Sequence, residues 1–162
     1  MDGDIVLPAE DFKPLIDAVS NGTDVALNSY SGSVDTEKVH SVVLAKYTLN
    51  AVLARPDLKG ASMTTVPHAI SRKALDSIGA ENLAVPPKAH AIAIHSGLKV
   101  DAVTFINVGA KNPIRRSRMV GKKDPLESLI VGDHLEAIAW ITEQTDDRAG
   151  KTDLKRMRGI VR

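Results

Sequence analysis

The chain has 162 residues, 43% of them hydrophobic and 25% charged, which suits one globular domain and excludes an intrinsically disordered chain. It contains no cysteine, which excludes disulfides and thiolate-held metals, and its 3% of aromatic residues means an aliphatic, alanine-rich core. The net charge of +1 is unevenly spread: residues 1–81 carry 7 basic against 11 acidic side chains, hence −4, and residues 82–162 carry 14 against 9, hence +5.

An acidic half joined to a basic half suits head-to-tail self-association and also an acidic polymer as partner. The opening, MDGDIVLPAED, is acidic and has no long apolar run, so neither a secretory signal nor a membrane span is expected. The expected compartment is the cytoplasm, or a virion if the chain is a viral structural component.

Pro8 to Ser20 reads as a first helix, with Phe12, Leu15, Ile16 and Val19 at helical spacing, ended by Asn21-Gly22. Asp24 to Tyr30 reads as a strand. Ser31-Gly32-Ser33 connects it to a long helix over about Thr36 to Ala54, with Asp35 as the expected N-cap. A single glycine with no Walker-type lysine reads as a connection and not as a phosphate loop. Val39, Val42, Val43, Tyr47, Leu49 and Leu53 form a broad apolar arc on that helix. Lys46 and Asn50 fall inside the arc, either as a buried polar pair at a site or interface, or as a snorkelling lysine beside a satisfied asparagine.

Met63 to Val66 reads as a short strand, and Pro67 opens a helix that runs to Ile78. Met63-Thr64-Thr65-Val66 followed by Ile70-Ser71-Arg72-Lys73-Ala74-Leu75 resembles the recognition helix of a winged helix-turn-helix protein. That resemblance implies a DNA-binding regulator whose wing is the next segment.

The next segment, residues 89–108, predicts an antiparallel hairpin. His90, Ile92 and Ile94 alternate with Ala89, Ala91, Ala93 and His95, and Lys99 to Val108 is rich in valine, isoleucine and phenylalanine. With Leu98 added to the Ser96-Gly97 turn, Ile94 pairs with Val100, Ile92 with Ala102 and His90 with Thr104, which keeps charge off the apolar face. Beyond it, residues 110–123 hold six basic side chains and no acidic one: Lys111, Arg115, Arg116, Arg118, Lys122 and Lys123. Such a loop is an electrostatic footprint for phosphate.

Asp124-Pro125-Leu126-Glu127 and Asp133-His134-Leu135-Glu136 repeat a cap-and-glutamate spacing. They predict helices over 125–131 and 134–145, or one helix bent at Gly132. The basic tail, residues 151–162, adds Lys155, Arg156 and Arg158 as a second cationic strip.

The expected fold is α+β in a single domain, residues 1–162, with about four strands including the hairpin and helices covering the sheet. Histidines 40, 68, 90, 95 and 134 show no metal spacing, and no catalytic or cofactor motif stands out. The expected function is that of a non-enzymatic, self-associating structural or assembly protein, as in a phage or virus. It would touch nucleic acid through phosphates with little sequence preference. The enzymatic alternative puts His95 and Asp101 at the hairpin tip, with Arg115 or Arg116 clamping an anionic substrate.

Overall fold

A computed structural model describes residues 5–34, 37–111, 124–152 and 154, without the side chain of Lys111. The fold is mixed α+β, with helices packed on a small three-stranded sheet in the order β2-β1-β3 among these residues. Strand β1 (Val25–Asn28) is central and buried at all four positions. It pairs antiparallel with β2 (His68–Ile70), Val25 opposite Ile70, and parallel with β3 (Val100–Thr104), Val25 opposite Val100. A strand flanked and covered on both sides has no solvent face, which is why Val-Ala-Leu is continuously apolar.

Helix α1 (Lys13–Ser20), preceded by a 3-10 turn at Ala9–Asp11, lies against all three strands and buries Leu15. The main core joins Val25, Leu27 and Val100 to Met63, to Ala74 and Ile78 of α3 (Arg72–Ile78), and to Ala89, Ile92 and Ala93 of α4 (Pro86–His95). Against the outer side of α4 pack α2 (Ser41–Val52) and α6 (Pro125–Gln144), through Leu49, Leu53, Ala91, Ala137 and Ile141. A one-turn helix, α5 (Val108–Lys111), follows β3.

The 89–108 hairpin is therefore corrected. Residues 89–95 are helical, only the second half of the segment is a strand, and that strand pairs in parallel with β1. The physical reason is the position of α4 between the sheet and the α2/α6 layer. A helix buried on all sides needs no apolar stripe, so its alternating alanines carry no 3.6-residue signal. Alanine is also the strongest helix former, and Pro86-Pro87 occupies the first turn, where the missing N–H groups cost nothing. The strand count drops from about four to three among the described residues, and the wing of the helix-turn-helix resemblance is lost with the hairpin.

Smaller differences have local causes. Residues 63–67 form turns, and the strand lies at His68–Ile70. Helix α3 starts only at Arg72 because Ser71 caps it, its Oγ accepting from the Ala74 N–H at 3.0 Å. Helix α2 starts at Ser41 with His40 as its cap, and Asp35 lies outside the described residues. Asp124 caps α6 as its spacing predicts, Oδ1 accepting from the Leu126 N–H at 2.9 Å. The helix then runs unbroken through Gly132, so Asp133 is a mid-helix residue and caps nothing.

Two buried polar side chains tie the ends of the sheet. At the amino-terminal edge, Asp24 accepts from the Lys99 N–H at 2.9 Å and from Lys73 Nζ at 3.0 Å. The Lys99 amide first, then Lys73, holds its carboxyl below the usual range. At the carboxyl edge Asn28 is fully buried. Its Nδ2 donates to the Val66 and Ile106 carbonyls (3.2 and 3.0 Å), and its Oδ1 accepts from the Tyr30 and Ile106 N–H groups (3.0 and 2.9 Å).

Replacing Asn28 by leucine keeps the branched shape of the side chain, though not its smaller size, and removes all four bonds. Leaving buried backbone groups unpaired costs about 1–3 kcal/mol each, so a loss of at least about 3 kcal/mol is expected. Urea unfolding of N28L would read it as a lower midpoint. An unchanged midpoint would mean that water or relaxation satisfies those groups.

Candidate functional site

In a sheet with parallel neighbours, ligands gather beyond the carboxyl ends of the strands. Here that end is built by the loop after β1, the loop after β3, and the first turns of α2 and α6. Together they enclose a cavity of about 430 Å³ lined by Tyr30, Ser31, Gly32, Lys46, Gly109 and Glu127 among others. Asn28 sets the loop geometry by holding the Tyr30 and Ile106 backbones together. Gly109 is required by close approach, because a Cβ there would lie within 1.9 Å of the Tyr30 hydroxyl. Gly32 has φ of +97°, and a side chain on it would strike Val43.

Lys46 reaches this cavity from the buried face of α2. It is 5% exposed. Its amine donates to the Thr65 hydroxyl at 2.6 Å and to the Tyr30 and Ser31 carbonyls at 3.4 and 3.5 Å. Burial pulls its pKa from 10.5 to about 8. Glu127, which also lines the cavity, accepts a short hydrogen bond from the Ser41 hydroxyl and stands 3.7 Å from His40 Nε2.

Lys46 and Asn50 are both buried, as one of the two readings of their spacing has it, yet they do not pair. Asn50 donates to the Lys59 and Ala61 carbonyls (2.8 and 2.9 Å), and its Oδ1 meets His90 Nε2 at 2.8 Å. His134, on α6, meets the Ile130 carbonyl through Nδ1 at 2.7 Å. His90 Nδ1 and His134 Nε2 are buried with no hydrogen-bond partner among the described residues.

The residues assigned to phosphate are not placed by the structure. Arg115, Arg116, Arg118, Lys122, Lys123, Lys155, Arg156 and Arg158 lie outside the described residues, and of Lys111 only the backbone, closing α5, is described. Gly109 and Asp124, which stand on either side of that run in the chain, both line the cavity. His95 and Asp101 are not brought together. The His95 ring sits edge-on to Trp140 at 5.6 Å, whereas Asp101 accepts from the Thr23 hydroxyl at 3.1 Å and lies 3.8 Å from Lys99 Nζ. Their expected proximity depended on the hairpin.

Phe105, just past the end of β3, is 66% exposed. It stands beside Tyr30, ring centroids 6.1 Å apart, at the end of β3. Comparison with protein-family models, with curated proteins and with solved structures finds no match. Among the described residues no helix is long and apolar enough to cross a membrane.

The buried histidines make stability pH-dependent. Desolvation lowers the pKa of His68, His90 and His134, that of His90 from 6.5 to about 3. The unfolded chain takes up these protons below about pH 6.5, and the folded chain takes them up only at lower pH, His90 lowest. Stability is therefore full above that pH and falls as the pH drops, by up to about 1.4 kcal/mol per pH unit for each histidine. Urea midpoints at about pH 7.5, 6 and 5 should decline steadily, before carboxylate protonation begins near pH 4. A flat profile over that range would contradict neutral burial.

Proposed function

We propose that the protein is a non-enzymatic, self-associating structural or assembly component that holds nucleic acid through its phosphates. A phage or viral structural role fits it, in the cytoplasm or the virion. The observation that carries this reading is the position of Phe105. An exposed aromatic face at the end of β3 lies beside Tyr30, which touches Gly109 in the short helix that leads into the basic run. An aromatic face next to a cationic segment can stack a base while arginines hold the neighbouring phosphates. The basic run supplies Lys111, Arg115, Arg116, Arg118, Lys122 and Lys123, and the tail supplies Lys155, Arg156 and Arg158.

Self-association has its own support. Leu44 of α2 and Leu135 of α6 are 55% and 61% exposed. They flank two adjoining hollows that share Ser41 and Glu127. An apolar surface rimmed by Asp124 and Glu127 on one side and Lys38 and His40 on the other suits a second copy of the chain, whose own rim offers charges of both signs.

Filter-binding titrations at low salt against single- and double-stranded DNA and RNA test the reading. Each phosphate contact contributes a slope of log affinity against log salt of about −0.7 to −0.9. Replacing Arg115, Arg116 and Arg118 by alanine should weaken binding uniformly across sequences and flatten that slope by about 2 to 3 units. Phe105→Ala should weaken binding to single strands by about 1–3 kcal/mol and leave the slope alone. Leu135→Ser should lower the mass by light scattering. If none of the four nucleic acids is retained by the folded protein, the basic segments serve something else.

A further inference from the structure

The reading above leaves Lys46 unused. A lysine kept for charge pairing has a carboxylate against its amine, and one kept for covering apolar surface carries its amine out to water. Lys46 does neither among the described residues. Its amine meets three neutral oxygens, with no ion pair described for it, and two of these belong to Tyr30 and Ser31, which line the 430 Å³ cavity beyond β1 and β3 together with Lys46. That volume lies within the range of about 300–1,000 Å³ typical of small-molecule sites. The same cavity is also lined by Glu127 and Asp124, whose carboxylates accept hydrogen bonds and donate none; each accepts one bond already, from the Ser41 hydroxyl and the Leu126 N–H, and has acceptor capacity left.

We propose that Lys46 is the nucleophile of a covalent site for small hydroxyaldehydes or hydroxyketones, held in the cavity at the carboxyl ends of β1 and β3. The carbonyl end lies at the amine and the hydroxyl end donates to Glu127 and Asp124. The neutral amine attacks the carbonyl carbon, forming a C–N bond while the carbonyl electron pair moves to oxygen. That oxygen takes up a proton from the nitrogen, with the Thr65 hydroxyl, 2.6 Å from Nζ, as the nearest group to relay it. The carbinolamine then loses its oxygen as water and leaves an imine. Amine and carbonyl give imine and water, so no oxidant or reductant is needed.

The protonation state of Lys46 favours this chemistry. With a pKa of about 8 the amine is free in roughly 10% of molecules at neutral pH, against roughly 0.03% for an exposed lysine, a ratio of about 300.

The test uses the native full-length chain with glycolaldehyde as probe and cyanoborohydride to trap the imine, at about pH 7. Peptide mass mapping should find the hydroxyethyl adduct first on Lys46, about a hundredfold ahead of exposed lysines such as Lys13 and Lys73 in initial rate. In denaturing urea the preference should vanish. Lys46→Arg should abolish the fast adduct, and if that variant does not fold, the native and urea maps of the unaltered chain decide alone. Adducts spread over the exposed lysines with Lys46 unmodified would overturn the proposal. Equal labelling of Lys46 by propanal would overturn the hydroxyl recognition. Nucleic-acid retention is a separate readout, so the failure of one reading leaves the other standing.

Discussion

Four hydrogen bonds of the Asn28 side chain hold the carboxyl end of the sheet together, and the candidate cavity lies beyond that end. β1 and β3 run in register as far as Leu27 and Ala102, then slip by one residue so that Asn28 faces Thr104. Just past that slip, one amide with two donor and two acceptor sites takes over from the ladder, pairing with backbone groups of Val66, Tyr30 and Ile106. The same bonds fix where Tyr30 and Ile106 leave the sheet. Those exits aim Tyr30 at Gly109, set Phe105 out in solvent, and bring the Tyr30 carbonyl to the Lys46 amine.

The second constraint is the central helix. α4 is packed between the sheet and the α2/α6 layer, so small side chains let three layers approach, and alanines serve at Ala89, Ala91 and Ala93. The one large polar group there, His90, is met by Asn50 from α2. A buried imidazole bonded through a single nitrogen stays neutral, and that neutrality is a condition of the packing. This is why acid is expected to destabilise the interior of an otherwise aliphatic protein.

Legibility in the sequence followed burial geometry. α1, β1, the body of α2 and the Asp124 cap were readable because half-buried helices carry a stripe and caps are local chemistry. The α+β class followed from the mixture of periods along one chain. α4 was not readable, since alternation of alanine with His90, Ile92 and Ile94 fits a strand whenever the helix is buried all round. β2 was hidden for a different reason: His68-Ala69-Ile70 is too short to show a period, and only its pairing with β1 makes it a strand. The candidate site was partly legible. Lys46 stood out as a charge inside an apolar arc. Its partner Thr65 lies nineteen residues away in a turn, and no spacing rule connects them. Phe105 carries no spacing signal of its own, and only the end of β3 at Thr104 leaves it in solvent.

A carboxyl-end cavity shaped by Asn28 and carrying a buried lysine among neutral oxygens is the centre of this structure. Its most direct test is the titration of the Lys46 side-chain nitrogen by NMR in the native protein, followed alongside the exposed lysines. A midpoint near 8, apart from the rest, is the expected result. A midpoint at the ordinary 10.5 would mean that the amine is in water or beside a carboxylate, and would contradict the environment described for it.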